Sequence, residues 1–113
     1  MKEIKAYVQP HMLSHVVLAL SQLPGLSGLS VTKVQGFGRG RGKGQVRRIV
    51  EDQIDYVPHA KIEAFCRDDQ VETIVEAIQA SARTGLKGDG KIYVTEVVQA
   101  IRISTGERGT QAV

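Results

Sequence analysis

The chain has 113 residues and a mass of 12.3 kDa, which predicts one domain spanning residues 1–113. With 42% hydrophobic residues but no Trp, its core must be built mainly from Val, Ile, Leu and Ala. The single cysteine, Cys66, excludes an internal disulfide framework and a Cys-rich zinc module. The longest apolar run, Val16 to Leu20, is too short to span a bilayer, and no signal-peptide pattern opens the sequence. We therefore expect a soluble, cytoplasmic protein.

The positive charge is concentrated in one segment. Residues 39–50 hold five cations and no anion, whereas residues 51–113 hold seven cations and eleven anions. A basic segment on a mildly acidic body indicates an anionic ligand or partner surface at that point. The alternative is a solvated loop whose charges keep the protein in solution. The candidate partner-binding cations are Arg41, Lys43, Arg47 and Arg48.

The first third of the chain predicts a strand, a helix and a second strand. Residues 3–9 alternate apolar and polar side chains as a half-buried strand does. From Leu13 the apolar residues follow the spacing of an amphipathic helix, which ends at Pro24. The β-branched run from Leu29 to Phe37 predicts the second strand.

A long connection of low hydrophobicity follows over residues 38–58. It opens with glycine at every second position from Gly38 to Gly44. A backbone so rich in glycine is too flexible to favour a helix or a strand. Connections of this length inside a compact domain are usually functional or disordered, and we expect disorder here when no ligand is bound.

The second half of the chain repeats the pattern of strand, helix and strand. Residues 61–66 alternate as a strand, Asp69 is the expected N-cap of a helix that ends at Thr84, and residues 91–103 predict a long last strand. A shift of the apolar phase near Glu96 predicts a bulge in that strand.

The resulting order, β-α-β-β-α-β, is typical of the α+β ferredoxin-like sandwich. Two helices cover only one face of a four-stranded sheet. The opposite face would carry Tyr7 and Phe65, which are costly to leave in water. We therefore expect another subunit or a ligand to cover that face.

Two glycine clusters beside predicted strands suit the binding of phosphate. They are residues 36–39 (GFGR) and residues 88–91 (GDGK). Glycines let backbone N–H groups approach an anion closely, and Arg or Lys supplies a compensating charge. Neither cluster is a Walker loop or a dinucleotide-binding fingerprint, and each alone could be a tight turn. With Arg102, expected on the outward face of the last strand, they predict a polyphosphate site.

No catalytic set emerges from the sequence. His11 and His15, with Met12 nearby, have the spacing of a metal pair on one helix face, but no third ligand is evident and solvated imidazoles are the simpler interpretation. Cys66 falls on the buried side of its strand, which predicts an inert core thiol. We expect no enzyme activity, no bound metal and no cofactor.

Three stretches of the chain resemble the nitrogen-regulatory PII signal-transduction proteins, which are trimeric sensors of adenine nucleotides. They are residues 31–39 (VTKVQGFGR), 84–92 (TGLKGDGKI) and 101–107 (IRISTGE), and the second is close to the family signature TGKIGDGKI. The resemblance covers residues 1–108. It implies a homotrimer that buries the free sheet face, a T-loop at residues 38–58 that grips partner proteins, and a C-terminal tail at residues 105–113.

The resemblance also implies a nucleotide site between neighbouring subunits, with ATP, ADP or AMP as its ligand. By position, two residues would lie near the adenosine, Ser30 and Glu63. Those matching the phosphate side are Gly36, Gly38, Arg39, Gly88, Asp89, Gly90, Lys91 and Arg102. Lys91 and Arg102 would offset the phosphate charge.

Several residues depart from the family pattern. The tyrosine that is uridylylated in the family is Asp52 here, and the serine that some members phosphorylate is Val50. Gly40 replaces a glutamine that joins Mg²⁺ and 2-oxoglutarate, and His59 replaces a lysine that pairs with 2-oxoglutarate. Ser104 replaces an arginine near the terminal phosphates. We therefore expect no usual response to 2-oxoglutarate, and a preference for ADP or AMP over ATP.

The leading hypothesis is a regulator whose nucleotide selects the loop conformation that engages a target, either a soluble enzyme or a membrane transporter that would recruit the protein to the membrane. One alternative is a nucleic-acid-binding module that uses the Arg-Gly segment of residues 39–44, although no aromatic side chain interrupts that basic run. Another is a metal-tolerance protein on a similar trimeric fold that uses His11, Met12 and His15.

Overall fold

A computed structural model describes residues 1–36, 49–50, 53–54 and 56–113. The helices of these residues are α1 (Leu13–Ser21) and α2 (Val71–Ala82). The strands are β1 (Lys2–Val8), β2 (Ser30–Gly36), β3 (Ile49–Val50), β4 (Gln53–Ile54), β5 (Val57–Cys66) and β6 (Gly90–Glu96). Short 3₁₀ turns form at Pro10–Met12, Asp68–Gln70 and Gly109–Ala112.

Four of these strands form one antiparallel sheet in the order β2-β5-β1-β6. With α1 after β1 and α2 after β5, this confirms the predicted ferredoxin-like α+β fold. The sequence did not indicate β3 and β4, which pair as a separate two-stranded sheet within the predicted 38–58 connection. Neither helix in the described part of the chain has the length and apolar character needed to cross a membrane.

Both helices pack on one face of the sheet, where the core lies. In β1 the buried residues are Ile4, Ala6 and Val8, each at most 2% exposed, so the predicted alternation is confirmed. The remaining buried core residues come from β5 and the two helices: Val16, Leu20, Ala60, Ile62, Ala64, Cys66, Ile74, Ile78 and Ala82. Full burial of an aliphatic side chain of this size contributes roughly 1.5–3 kcal/mol, so these contacts dominate the stability.

Cys66 ends β5 inside this core and is 1% exposed. Burial raises the pKa of its thiol, which keeps the sulfur protonated and a poor nucleophile. The prediction of a buried core thiol is confirmed.

The predicted start of the second helix is wrong. Asp69 lies within the 3₁₀ turn that precedes α2, and the helix begins at Val71. The Arg67 Nε donates to Asp69 Oδ1 at 3.2 Å, and the Arg67 backbone N–H donates to Gln70 Oε1 at 3.1 Å. Because Arg67 holds its carboxylate, Asp69 does not cap α2.

The predicted long last strand is also wrong beyond Glu96. β6 ends there, opposite Lys2, and the Val97 N–H donates to the Met1 carbonyl at 3.0 Å. No bulge forms, because the neighbouring strand begins at Lys2 and offers no partner further along. Ile101 makes only an isolated bridge to Arg108. Arg102 is therefore not on a strand, and we call residues 97–113 the C-terminal segment.

The strand predicted from Lys61 begins earlier, at Val57, and includes Pro58. Proline cannot donate a ladder hydrogen bond, so it is tolerated only where one side of a strand is free. β1 ends at Val8, opposite Ala60, which leaves Pro58 paired on the β2 side alone.

The sheet face opposite the helices, which we call the open face, carries both aromatic residues that the sequence placed there. Tyr7 packs edge-to-face on Tyr93 with ring centroids 6.1 Å apart, and Phe65 is 48% exposed. The strand register puts Glu3, Lys5, Lys61 and Glu63 on the same face. This mixture of aromatic and charged side chains suits contact with another molecule more than with water.

At Gly90 the backbones of β1 and β6 lie too close together to leave room for a side chain. The φ of Gly90 is +108°, and a Cβ there would overlap the Tyr7 carbonyl oxygen. We expect Gly90→Ala to lower the free energy of unfolding by about 2–4 kcal/mol, because strain in the backbone adds to the overlap. Gly28→Ala, with nothing within 4 Å of the added Cβ, should change it by less than about 1 kcal/mol. Urea denaturation at equal protomer concentration measures both, and equal effects would contradict the prediction.

Candidate functional site

The second glycine cluster forms a tight loop between α2 and β6. Three of its glycines have a positive φ: Gly85 (85°), Gly88 (88°) and Gly90 (108°). L-residues with side chains adopt this conformation only at a cost, so the glycine spacing in residues 84–90 is required by the path of the backbone. We call these residues the glycine loop.

Asp89 holds the glycine loop closed. One carboxylate oxygen, Oδ2, accepts the backbone N–H of Thr84 at 2.9 Å and that of Gly85 at 3.2 Å. The other, Oδ1, accepts the Thr84 hydroxyl, whose oxygen accepts the Leu86 N–H at 3.1 Å. These bonds, led by that from the Thr84 hydroxyl, hold the pKa of Asp89 below its usual range. The sequence placed Asp89 among phosphate-side residues, and the structure shows that its oxygens are already used inside the loop.

Gln9 ties the glycine loop to the end of β1. Its side-chain amide donates to the Gly88 carbonyl oxygen. Gln9 was not among the predicted site residues, because a lone glutamine at the end of a predicted strand has no pattern that indicates a contact 79 residues away.

A cleft of about 310 Å³ opens beside the glycine loop, between the C-terminal turn of α2 and the start of β6. Its lining includes Tyr7, Arg83, Asp89, Gly90 and Lys91. Arg83 and Tyr7 were not among the candidate site residues, since an arginine at a helix end and a tyrosine in a strand both have ordinary structural explanations.

Lys91 is the second residue of β6, lies on the open face opposite Tyr7, and is exposed. The backbone of the glycine loop and the ammonium group of Lys91 therefore lie at the same end of the sheet. Gly36 ends β2 at that end too, opposite Val57. Two strands separate them, which corresponds to about 14 Å across the sheet at the usual spacing of neighbouring strands. Gly36 also lies further along the strand direction, because Thr32 is the β2 residue that the register sets level with Lys91.

Arg102 lies beyond the other end of β6. The seven residues of β6 span roughly 20 Å, and the C-terminal segment starts beside Met1, at the end of the sheet away from Gly90. The guanidinium of Arg102 donates to Glu107 Oε1 at 3.2 Å and to the Gln111 carbonyl at 3.1 Å. Contacts within its own segment therefore hold Arg102 in place.

Ser30 and Glu63 face each other in the register of β2 and β5. A hydrogen bond with Glu3, followed by one with Lys61, whose Nζ lies 3.4 Å from Glu63 Oε1, lowers the pKa of the Glu63 carboxyl. Glu63 is therefore an anion at neutral pH on the open face.

The other predicted site residues lie outside the described residues: Gly38, Arg39, Arg41, Lys43, Arg47 and Arg48. Gly40 and Asp52 lie there as well, and with them most of the predicted 38–58 loop.

His11 and His15 are both exposed, in the first 3₁₀ turn and in α1. Among the residues that the structure describes, no three His, Cys, Asp or Glu side chains are grouped as a metal ion requires.

The Asp89 contacts predict a loop that depends on the carboxylate. In Asp89→Asn an amide group replaces one acceptor, so we expect hydrogen exchange of the Thr84 and Gly85 amides to become several-fold faster, measured by NMR. In the unsubstituted protein their protection should be complete above the ordinary aspartate pKa of about 3.9 and be lost as the pH falls through the lower pKa of the folded state. Asp69→Asn, an exposed acid elsewhere, is the control. Unchanged exchange in Asp89→Asn would contradict this role.

Comparison with known proteins agrees with the fold. The family model described as nitrogen regulatory protein P-II matches residues 1–107. Curated proteins of that name are similar over the full length of both chains, with 49% identity in Cereibacter sphaeroides, 46% in Rhodospirillum rubrum and 44% in Azospirillum brasilense.

The fold is also similar to that of a solved structure. The crystal structure of Arabidopsis thaliana PII bound to citrate superposes with a TM-score of 0.79 at 38% identity, covering 99% of this chain and 91% of that one. The four-stranded sheet, the two helices on one face and the full-length similarity lead to one conclusion: the chain belongs to the nitrogen regulatory protein P-II family of signal-transduction proteins.

Proposed function

We propose that this family member binds adenine nucleotides between neighbouring copies of a homotrimer. The bound nucleotide, ATP, ADP or AMP, selects a conformation of the 38–58 loop, and that loop engages or releases a target protein. The protein acts as a cytoplasmic regulator and not as an enzyme, and a membrane transporter as target would recruit it to the membrane.

The observation that carries this proposal is the separation of Lys91 from Arg102. The two cations that best match the phosphate side of the site lie toward opposite ends of β6, and Arg102 is held within the C-terminal segment. One copy does not bring them together. A neighbouring copy that laid its C-terminal segment beside the glycine loop would complete the site.

Two uncovered surfaces support an assembly of this kind. The open face exposes Phe65 and Tyr93 by 48% and 49%, and the C-terminal segment exposes Val98 by 93% and Ile103 by 100%. Because these surfaces are different, a contact of one with the other is head-to-tail, and such contacts close into a ring when the rotation permits. That the ring contains three copies is inferred from the resemblance to the family.

The glycine loop suits the phosphate chain. Its backbone is fixed by Asp89 and by Gln9, so the N–H groups that Asp89 and the Thr84 hydroxyl do not already use are oriented before a ligand arrives. Lys91 is exposed beside it and supplies the positive charge. Ser30 and Glu63, together on the open face of the same sheet, remain the candidates for contact with the adenosine.

The response to 2-oxoglutarate and the preferred nucleotide should both differ from those usual in the family. Gly40 has no side-chain oxygen for Mg²⁺. His59 carries an imidazole in place of a lysine ammonium group, and its Nδ1 lies 3.4 Å from the Val57 carbonyl oxygen. Ser104 supplies no charge near the terminal phosphates. We propose that 2-oxoglutarate is not read together with Mg-ATP, and that ADP or AMP is preferred over ATP.

The trimer is tested by a charge placed on the open face. Phe65→Asp should shift the particle from three protomers toward one, because a carboxylate buried in the contact loses its hydration. Leu18→Asp is the matched control, since Leu18 is 60% exposed on α1, away from the sheet. Light scattering coupled to size-exclusion chromatography measures both. A monomeric parent protein, or an intact Phe65→Asp trimer, would contradict the assembly.

The shared site is tested by complementation. Lys91→Gln and Arg102→Gln should each weaken nucleotide binding about ten- to a hundredfold in calorimetric titration, which is the usual effect of losing a hydrogen bond to a charged group. In trimers formed by mixing the two variants after unfolding, about a quarter of the sites should regain high affinity, because each such site takes Lys91 from one copy and Arg102 from another. No recovery on mixing would show that the two cations do not share a site.

Calorimetric titration of the parent protein also tests the nucleotide preference and the response to 2-oxoglutarate. We expect tighter binding of ADP or AMP than of ATP, and no gain in ATP affinity when Mg²⁺ and 2-oxoglutarate are added together. A strong synergy between Mg-ATP and 2-oxoglutarate would contradict the inference drawn from Gly40 and His59.

A further inference from the structure

Arg83 is a cation that neither the sequence analysis nor the family resemblance assigned to a site. It follows the last residue of α2 and has extended backbone angles, φ −71° and ψ 127°, so the chain leaves the helix at this point and turns into the glycine loop. Arg83 and Lys91 are both among the residues that line the 310 Å³ cleft.

We propose that Arg83 is a second cationic contact for the phosphate chain, acting with Lys91 across this cleft. The inference rests on the proposed nucleotide function and adds to it a binding residue from the end of α2.

The floor of the cleft explains why charge at its rim is effective. Val8 and Ile78 are at most 2% exposed and Ala82 is 7% exposed, and all three line the cleft with Ile92. An apolar floor holds no ordered counter-charge and lowers the local dielectric response, so a cation at the rim acts on a bound anion more strongly than it would in open water.

The charge balance of the cleft also calls for a second cation. Asp89 lines the same cleft as an anion, and its carboxylate would repel a phosphate. Arg83 is close enough to contribute to lowering the pKa of Asp89. With Asp89 balanced by Arg83 and Lys91 together, the cleft carries a net positive charge, whereas Lys91 alone would leave it neutral.

An arginine at this position also has a purely structural explanation. A cation at the C-terminal end of a helix interacts favourably with the unpaired carbonyl groups of the last turn. The two roles differ in what they depend on. A helix-end cation stabilises the fold whatever ligand is present, whereas a phosphate contact strengthens binding more as the ligand carries more negative charge.

The experiment is calorimetric titration of Arg83→Gln with AMP, ADP and ATP at two salt concentrations. We expect about a three- to tenfold loss of ATP affinity, a smaller loss for ADP and the smallest for AMP, and a weaker salt dependence than in the parent protein. Arg83→Lys, which keeps the charge, should recover part of the ATP affinity. The control is Arg67→Gln, an exposed arginine paired with Asp69 outside the cleft, which should bind as the parent does.

Each outcome bears on the assignment. An unchanged affinity in Arg83→Gln, or an equal loss for all three nucleotides with an unchanged salt dependence, would overturn the role of Arg83. If Lys91→Gln weakens binding while Arg83→Gln does not, only this inference fails and the proposed nucleotide site stands. If the parent protein binds none of the three nucleotides, both fail together.

Discussion

The pairing of β1 on both of its sides determines the rest of the molecule. Each of its residues has a partner in β5 and another in β6, so a shift of one residue would move its side chains to the wrong face of the sheet. This register sends Ile4, Ala6 and Val8 to the helices and leaves Tyr7 on the open face. The same pairing sets where β6 begins, opposite Val8, and where it ends, opposite Lys2.

The two ends of β6 have different consequences for function. At its start the glycine loop is fixed by Asp89 and Gln9, and Lys91 projects from a rigid base. At its end the sheet has no further partner to offer, so the chain leaves it and carries Arg102 away. Because Lys91 and Arg102 lie toward opposite ends of β6, the shared site proposed above needs a second copy of the chain, and the uncovered apolar side chains of the C-terminal segment fit that proposal.

Much of the fold could be predicted because its signals are local. Alternation in residues 3–9 and helical spacing after Leu13 report which side chains are buried. The structure confirms the strand within one residue and the helix start at Leu13, whereas the helix ends at Ser21, three residues before Pro24. The errors came where a neighbouring strand decides the outcome. Residues 97–103 have the composition of a strand, but the sequence does not show that β1 has run out of partners at Lys2.

The candidate site was predictable in the same uneven way. The glycine cluster at residues 88–91 indicated a tight turn or an anion-binding loop, and the structure shows a tight loop in which Gly85, Gly88 and Gly90 have a positive φ. That Asp89 uses its oxygens on Thr84 and Gly85 follows from the folded loop, since the same aspartate in an open turn would be free to meet a ligand. The contact from Gln9 depends on β1 and β6 being neighbours, which no local pattern records.

The strand order leaves β2 and β6 at the margins of the sheet, each with one row of backbone groups that its own sheet does not use. Such margins are templates for unwanted strand pairing between newly made chains. In β2 the exposed residues include Thr32, Lys33 and Gln35 beside Val31, which is 42% exposed, so this edge is mostly polar and carries one charge. Lys33 therefore makes β2 a poorer template for pairing with another chain than an uncharged, apolar edge strand would be.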